Sequence, residues 1–91
     1  MSLPKRTFTA VDLVPGQTYS VITEFKDYDG IIHSVGERWR FVGKNFLPYE
    51  DGLTLLVERN GRNVPFRLQW RVETQGYIID KFSDFVEEAS S

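Results

Sequence analysis

Ninety-one residues make one small domain, and at this size folding buries somewhat over ~60% of the surface that the unfolded chain exposes. Hydrophobic residues make up 41% and charged residues 26%, a globular composition, and thirteen acids against eleven bases leave a net charge of −2. This balance excludes nucleic-acid binding driven by phosphate neutralisation, and the lack of cysteine excludes disulfides, thiolate metal sites and cysteine nucleophiles. No stretch reaches the ~20 apolar residues of a membrane helix, so a small cytoplasmic domain is expected, with neither a membrane nor a nucleic acid as its partner.

Met1-Ser2-Leu3 reads as a start added for expression and residues 89–91 as a disordered polar end, which leaves a single domain over residues 4–88. Pro15-Gly16 marks a turn. From Thr18 to Phe25 the chain alternates, with Tyr19, Val21, Thr23 and Phe25 on one face, and period two predicts a strand. Asp27-Tyr28-Asp29-Gly30 breaks it as a turn, and Ile31 to Gly36 reads as a short strand or an extended loop. Glu37 to Gly43 alternates again, with Trp39 and Phe41 opposite Arg38 and Arg40. Phe46 to Gly52 then reads as a long connection.

Asn60-Gly61 is the preferred pair for a two-residue hairpin turn. Setting Arg59 opposite Arg62 makes Val57 face Val64, Leu55 face Phe66 and Leu53 face Leu68, so turn chemistry and apolar pattern agree. Leu56 then faces Pro65, which predicts an edge strand or a kink. After Trp70, Val72, Gln75, Ile78, Ile79, Phe82, Phe85 and Val86 recur at helical spacing and predict an amphipathic helix over residues 72–87. Gly76 weakens its first turn, and Glu87 and Glu88 stand against the dipole at its end. The expected architecture is mainly β with one C-terminal helix (α+β), a small SH3-like, partly open antiparallel barrel closed by that helix.

Charge is segregated. Residues 53–71 hold Arg59, Arg62, Arg67 and Arg71 against Glu58, whereas residues 72–91 hold Glu73, Asp80, Asp84, Glu87 and Glu88 against Lys81. Either the two segments pair within one molecule, or one of them meets a partner or a second copy. His33, the only histidine, reads as a loop or core residue, since it lacks a companion constellation for catalysis or metal binding. Asp27, Asp29, Glu50 and Asp51 lie in two loops ending in glycine. Aspartate before glycine is what a tight turn demands, although such loops also suit a hard cation or an acid–base pair.

Trp39 and Trp70 are in phase with inward residues and are assigned to the core, while Tyr28, Phe46 and Tyr49 lie in or beside polar loops next to acids. Those rings are either lids over the core or a groove for a proline-rich or basic peptide. Arg38, Arg40, Arg67 and Arg71 with these aromatics could hold single-stranded nucleic acid, but the negative net charge and only four lysines oppose it.

Five segments carry a resemblance: Pro15-Gly16-x-x-Tyr19-x-Val21, Phe25-x-Asp27-Tyr28-Asp29-Gly30, Val35-Gly36-Glu37-x-Trp39-x-Phe41, Phe46 to Leu53, and Phe66-Arg67-Leu68-Gln69-Trp70. In these the chain resembles a bacterial family of small domains of unknown function, the one numbered 3601. The resemblance implies a compact single domain and transfers neither cofactor nor catalytic residues. The function expected is a non-catalytic protein- or peptide-interaction module, without cofactor, metal or catalytic residues. Its contact surface is predicted at Asp27, Tyr28, Asp29, Phe46, Tyr49, Glu50 and Asp51. The alternatives are a carboxylate-based, metal-dependent enzyme or enzyme accessory, and a structural homodimer.

Overall fold

The computed structural model describes residues 7–47, 52–71 and 75–89. Its longer strands are β1 (Thr18–Val21), β4 (Arg38–Leu47), β5 (Gly52–Arg59), β6 (Arg62–Gln69) and β7 (Val86–Ala89). They form one antiparallel sheet in the order β6-β5-β4-β1-β7, and this sheet is open, with β6 and β7 as its edges. β2 (Phe25–Lys26) and β3 (Ile32–His33) make a separate two-stranded ribbon. A short helix, α1 (Gly76–Asp80), and a 3-10 turn, Phe82–Asp84, lie between β6 and β7, and another 3-10 turn, Ala10–Asp12, precedes β1.

The β5–β6 hairpin has the register that the turn dictates, with Arg59 opposite Arg62, Leu55 opposite Phe66 and Leu53 opposite Leu68. Asn60 and Gly61 both adopt positive φ (54° and 79°), the backbone of a type I′ turn. Pro65 does not interrupt this register. In a two-residue hairpin the pair closing the turn exchanges hydrogen bonds, so Asn63, Pro65, Arg67 and Gln69 direct their backbone groups away from β5. Proline sits where no ladder donor is required. The Tyr28 N–H donates to the Arg67 carbonyl (2.7 Å) and the Gln69 N–H donates to Gln75 Oε1 (2.8 Å), so this edge is guarded at three consecutive outward positions.

The predicted first strand divides in two. β1 stops at Val21, Thr23 is exposed, and β2 begins at Phe25, although Tyr19, Val21 and Phe25 remain buried as the alternation required. β4 runs on to Leu47, beyond the alternating segment, and is irregular between Phe41 and Gly43, where Phe41 pairs with Val57 and Gly43 with Leu56. The extra residue, Val42, reverses the alternation, so Phe46 faces Leu53 on the inner side instead of following the outward arginines.

The long C-terminal helix is the main correction. α1 ends at Asp80, Lys81 leaves the helical region (φ −120°, ψ 40°), and after the 3-10 turn the chain is a strand. Residues 72–74 lie outside the described residues. Ile78, Ile79, Phe82 and Val86 still face inward, because two short turns in succession deliver the same faces to the core as one helix. β7 pairs with β1, Val21 opposite Val86 and Thr18 opposite Ala89, so tertiary pairing overrides local periodicity. Extension also removes the clash of Glu87 and Glu88 with a helix dipole, and Ala89 belongs to the sheet, not to a disordered end.

The core joins Leu53, Leu55, Val57, Phe66 and Leu68 of the hairpin to Tyr19, Val21, Trp39 and Phe41, and is covered by Ile78, Ile79 and Phe82. Trp70 is not part of it, being 38% exposed. The approach of α1 depends on Gly76, whose N–H donates to the Arg71 carbonyl and where a Cβ would lie 2.8 Å from that oxygen. Gly76→Ala is therefore expected to cost about 1–3 kcal/mol in urea unfolding, as overpacking against backbone does, whereas Gly43→Ala, with open space around it, should change little.

Candidate functional site

Asp27 lies in phase with Phe25 and points inward. Its Oδ1 accepts the backbone N–H groups of Asp29 (2.9 Å) and Ile31 (3.0 Å), closing the turn between β2 and β3. Its Oδ2 faces His33 Nε2 at 2.9 Å, and His33 Nδ1 faces Glu37 Oε2 at 2.6 Å. Glu37 Oε1 meets the Arg59 guanidinium at 3.1 Å. The imidazole is stacked on Phe25 (centroids 4.7 Å apart) and abuts Phe66 (4.6 Å). One ring nitrogen faces each carboxylate, and Glu37 shares its other oxygen with the Arg59 guanidinium.

The imidazole and its two carboxylates are buried, and only Arg59 reaches solvent. His33 is 5% and Asp27 3% exposed, whereas an acid–base pair must reach a substrate proton. Its role is to fasten the β2–β3 ribbon to β4 and β5. His33 is thus a core residue, as the sequence suggested, but Asp27 is withdrawn from the surface on which the loop acids were expected. Among the described residues no group of three or more metal-ligating side chains is arranged to hold an ion.

Tyr28 and Asp29 do reach the surface, and Arg67 engages both. Its guanidinium pairs with the Asp29 carboxylate and lies 5.5 Å from the centre of the Tyr28 ring. The hydrogen bond from Arg67 holds the Asp29 carboxyl below its ordinary range; desolvation opposes this and the charge of Arg67 adds to it. Tyr49, Glu50 and Asp51 lie outside the described residues, so the predicted juxtaposition of the two loops rests, on that side, on Phe46 alone.

Phe46 belongs to a different feature. The reversal at Val42 brings it to the inner face at the end of the sheet, where it meets Trp70 edge to face (5.9 Å, 80°). Trp70 Nε1 donates to Asp80 Oδ1 (3.1 Å), and Tyr77 on α1 leans on Phe85 (6.1 Å). Between Trp70 and Tyr77 lies a half-open cavity of about 360 Å³ over Gly76, with Asp80 and Lys81 at its margin. Phe46, Trp70 and Tyr77 are 44%, 38% and 57% exposed, a cluster of large rings at one end of the core. The sequence pointed to Phe46 but assigned Trp70 to the core and Tyr77 to a polar helix face. Only the short α1 and the β4 irregularity bring the three together.

The family model of domain of unknown function 3601 (DUF3601) matches residues 5–89. A solved structure, an integron cassette protein from the mobile metagenome of Vibrio cholerae, is similar at 35% sequence identity and a TM-score of 0.84, over 88% of this chain and 89% of that one. No curated protein matches the chain.

Two measurements follow from the geometry. His33→Phe keeps the ring but leaves Asp27 Oδ2 and Glu37 Oε2 buried without the imidazole nitrogens that meet them, and urea unfolding should show a loss of about 3–5 kcal/mol. The depressed Asp29 carboxyl adds stability above the ordinary carboxylate range, which is lost as pH falls through its lowered midpoint. In Arg67→Leu, carbon-detected NMR titration should find the Asp29 midpoint returned upward to the ordinary value.

Proposed function

The chain belongs to the DUF3601 family, and from that premise, which brings no established activity, we propose that it is a non-catalytic interaction module that holds a segment of another protein. The observation that carries this reading is the half-open cavity between Trp70 and Tyr77, with Phe46 behind Trp70. Large rings of this kind supply contact energy at little entropic loss, and aromatic anchors dominate the strength of protein interfaces. Each wall is braced by a second ring, so the surface is arranged before a ligand arrives. A curled antiparallel sheet with an aromatic groove at its strand ends is the sense in which the SH3-like likeness enters this proposal.

The Tyr28 corner is the less favoured surface, because Arg67 already engages its ring and its acid. A carboxylate-based, metal-dependent reaction draws no support from Asp27 and Asp29, which bind His33 and Arg67.

The test is retention of proteins from a lysate of the source organism by wild type and by Trp70→Ala/Tyr77→Ala, each first shown to be folded by circular dichroism. Loss of a retained protein in the double variant is expected, by at least about thirtyfold in affinity, the equivalent of about 2 kcal/mol at an anchoring ring. Tyr28→Ala should retain it. Identical sets for wild type and the double variant overturn the proposal.

A further inference from the structure

We propose that the β2–β3 ribbon is latched to the sheet by a captured proton, so that a rise in pH loosens it. Two gaps in the buried cluster have to be bridged by hydrogens. His33 Nε2 lies 2.9 Å from Asp27 Oδ2, and His33 Nδ1 lies 2.6 Å from Glu37 Oε2. Each approach is a hydrogen bond only with one hydrogen in it, since a bare ring nitrogen and a carboxylate oxygen oppose two lone pairs. A neutral imidazole carries one N–H and, between two carboxylates, bridges a single gap. The closed cluster therefore holds one further proton, whichever of the three side chains owns it.

Nothing packed around the cluster supplies that hydrogen instead. Among the described residues its charged members are Asp27 on β2, Glu37 just before β4 and Arg59 on β5, and Arg59 bonds the other oxygen of Glu37. β6 meets the imidazole with the Phe66 ring and β2 with the Phe25 ring, against which Phe82 and Phe85 pack. Asp29 and Arg67, farther out, pair with each other. The side chains of Asp27, His33 and Glu37 are only 1%, 6% and 7% exposed, so water reaches an unbridged gap only if the ribbon moves.

An imidazole free in water gives up its second hydrogen at about pH 6.5. Above that pH the closed ribbon keeps a proton that the opened ribbon releases. The closed form binds more protons, so its advantage falls as pH rises, by up to about tenfold per pH unit. Two strands of two residues cannot close by themselves. Beyond the cluster and the packing of Phe25, the ribbon is tied through exposed residues, by Tyr28 and Asp29 to Arg67 and by the Lys26 carbonyl to Gln75. Opening frees the Arg67 carbonyl on the outer flank of β6.

The test is amide hydrogen exchange of the ¹⁵N-labelled protein between about pH 7 and 9, each rate divided by that of an unstructured peptide to give an opening constant. Tyr28 and Ile31, whose N–H groups bond Arg67 and Asp27, should open up to about tenfold more for each pH unit, and more readily than Leu55 in the hairpin. Glu37→Gln and Asp27→Asn remove the need for the captured proton. In each, the new amide turns a hydrogen of its own toward the imidazole. Its oxygen keeps the remaining bonds, from Arg59 in the first and from the Asp29 and Ile31 N–H groups in the second. Both variants, shown to be folded by circular dichroism, should open to the same extent at every pH, and either one suffices if the other does not fold. A constant opening in wild type, an undiminished rise in either folded variant, or equal opening at Tyr28 and Leu55 throughout overturns the latch.

Discussion

One imidazole between two buried carboxylates sets the arrangement of the whole upper surface. β2 and β3 have two residues each, far too few for a ribbon to hold itself in water. They are held because Asp27 ties the turn with one oxygen and His33 with the other, and His33 passes the connection through Glu37 to Arg59 at the hairpin turn. Phe25 and Phe66 on either side of the imidazole join this polar chain to the apolar core. Removing His33 leaves a buried oxygen of each carboxylate short of a hydrogen bond, so the ring is the member on which the network depends.

That fastening also decides what the surface can offer. It draws one acid inside and presses the ribbon onto β6, where Arg67 takes up Tyr28 and Asp29. Hairpin charges are met by residues outside the acidic C-terminal segment, Arg67 by Asp29, Glu58 by Arg40 and Arg59 by Glu37, and none of these three pairs joins residues 53–71 to residues 72–91. Such exposed pairs add little stability individually, but they lower the net field available to a charged partner. The aromatic end between β6 and α1 stays open, with Asp80 and Lys81 beside its rings.

Much of the sheet was legible in the residues. Asn60-Gly61 and the apolar alternation around it specify one register, and the structure has it. The inward phase of Tyr19, Val21 and Phe25, extended by two positions, places Asp27 inside as well, a signal that its place in the turn run Asp27-Tyr28-Asp29-Gly30 concealed. The end of the chain was misread because helical spacing and a short helix followed by a 3-10 turn put the same residues inward. Only the vacancy beside β1, a feature of the assembled sheet, distinguishes them. The groove could not be read, since its walls depend on α1 being a short helix over Gly76–Asp80 and the bracing of Trp70 by Phe46 on one additional residue in β4.

The position of Pro65 has a consequence for behaviour at high concentration. Growth of fibrils requires a flank of repeating, vacant peptide groups onto which the next molecule can add. On the β6 flank, proline interrupts the repeat, and the Tyr28 and Gln75 contacts occupy the two sites that follow. Stacking of molecules through that side is closed off by the native fold, and it reopens only if the ribbon bearing Tyr28 lets go.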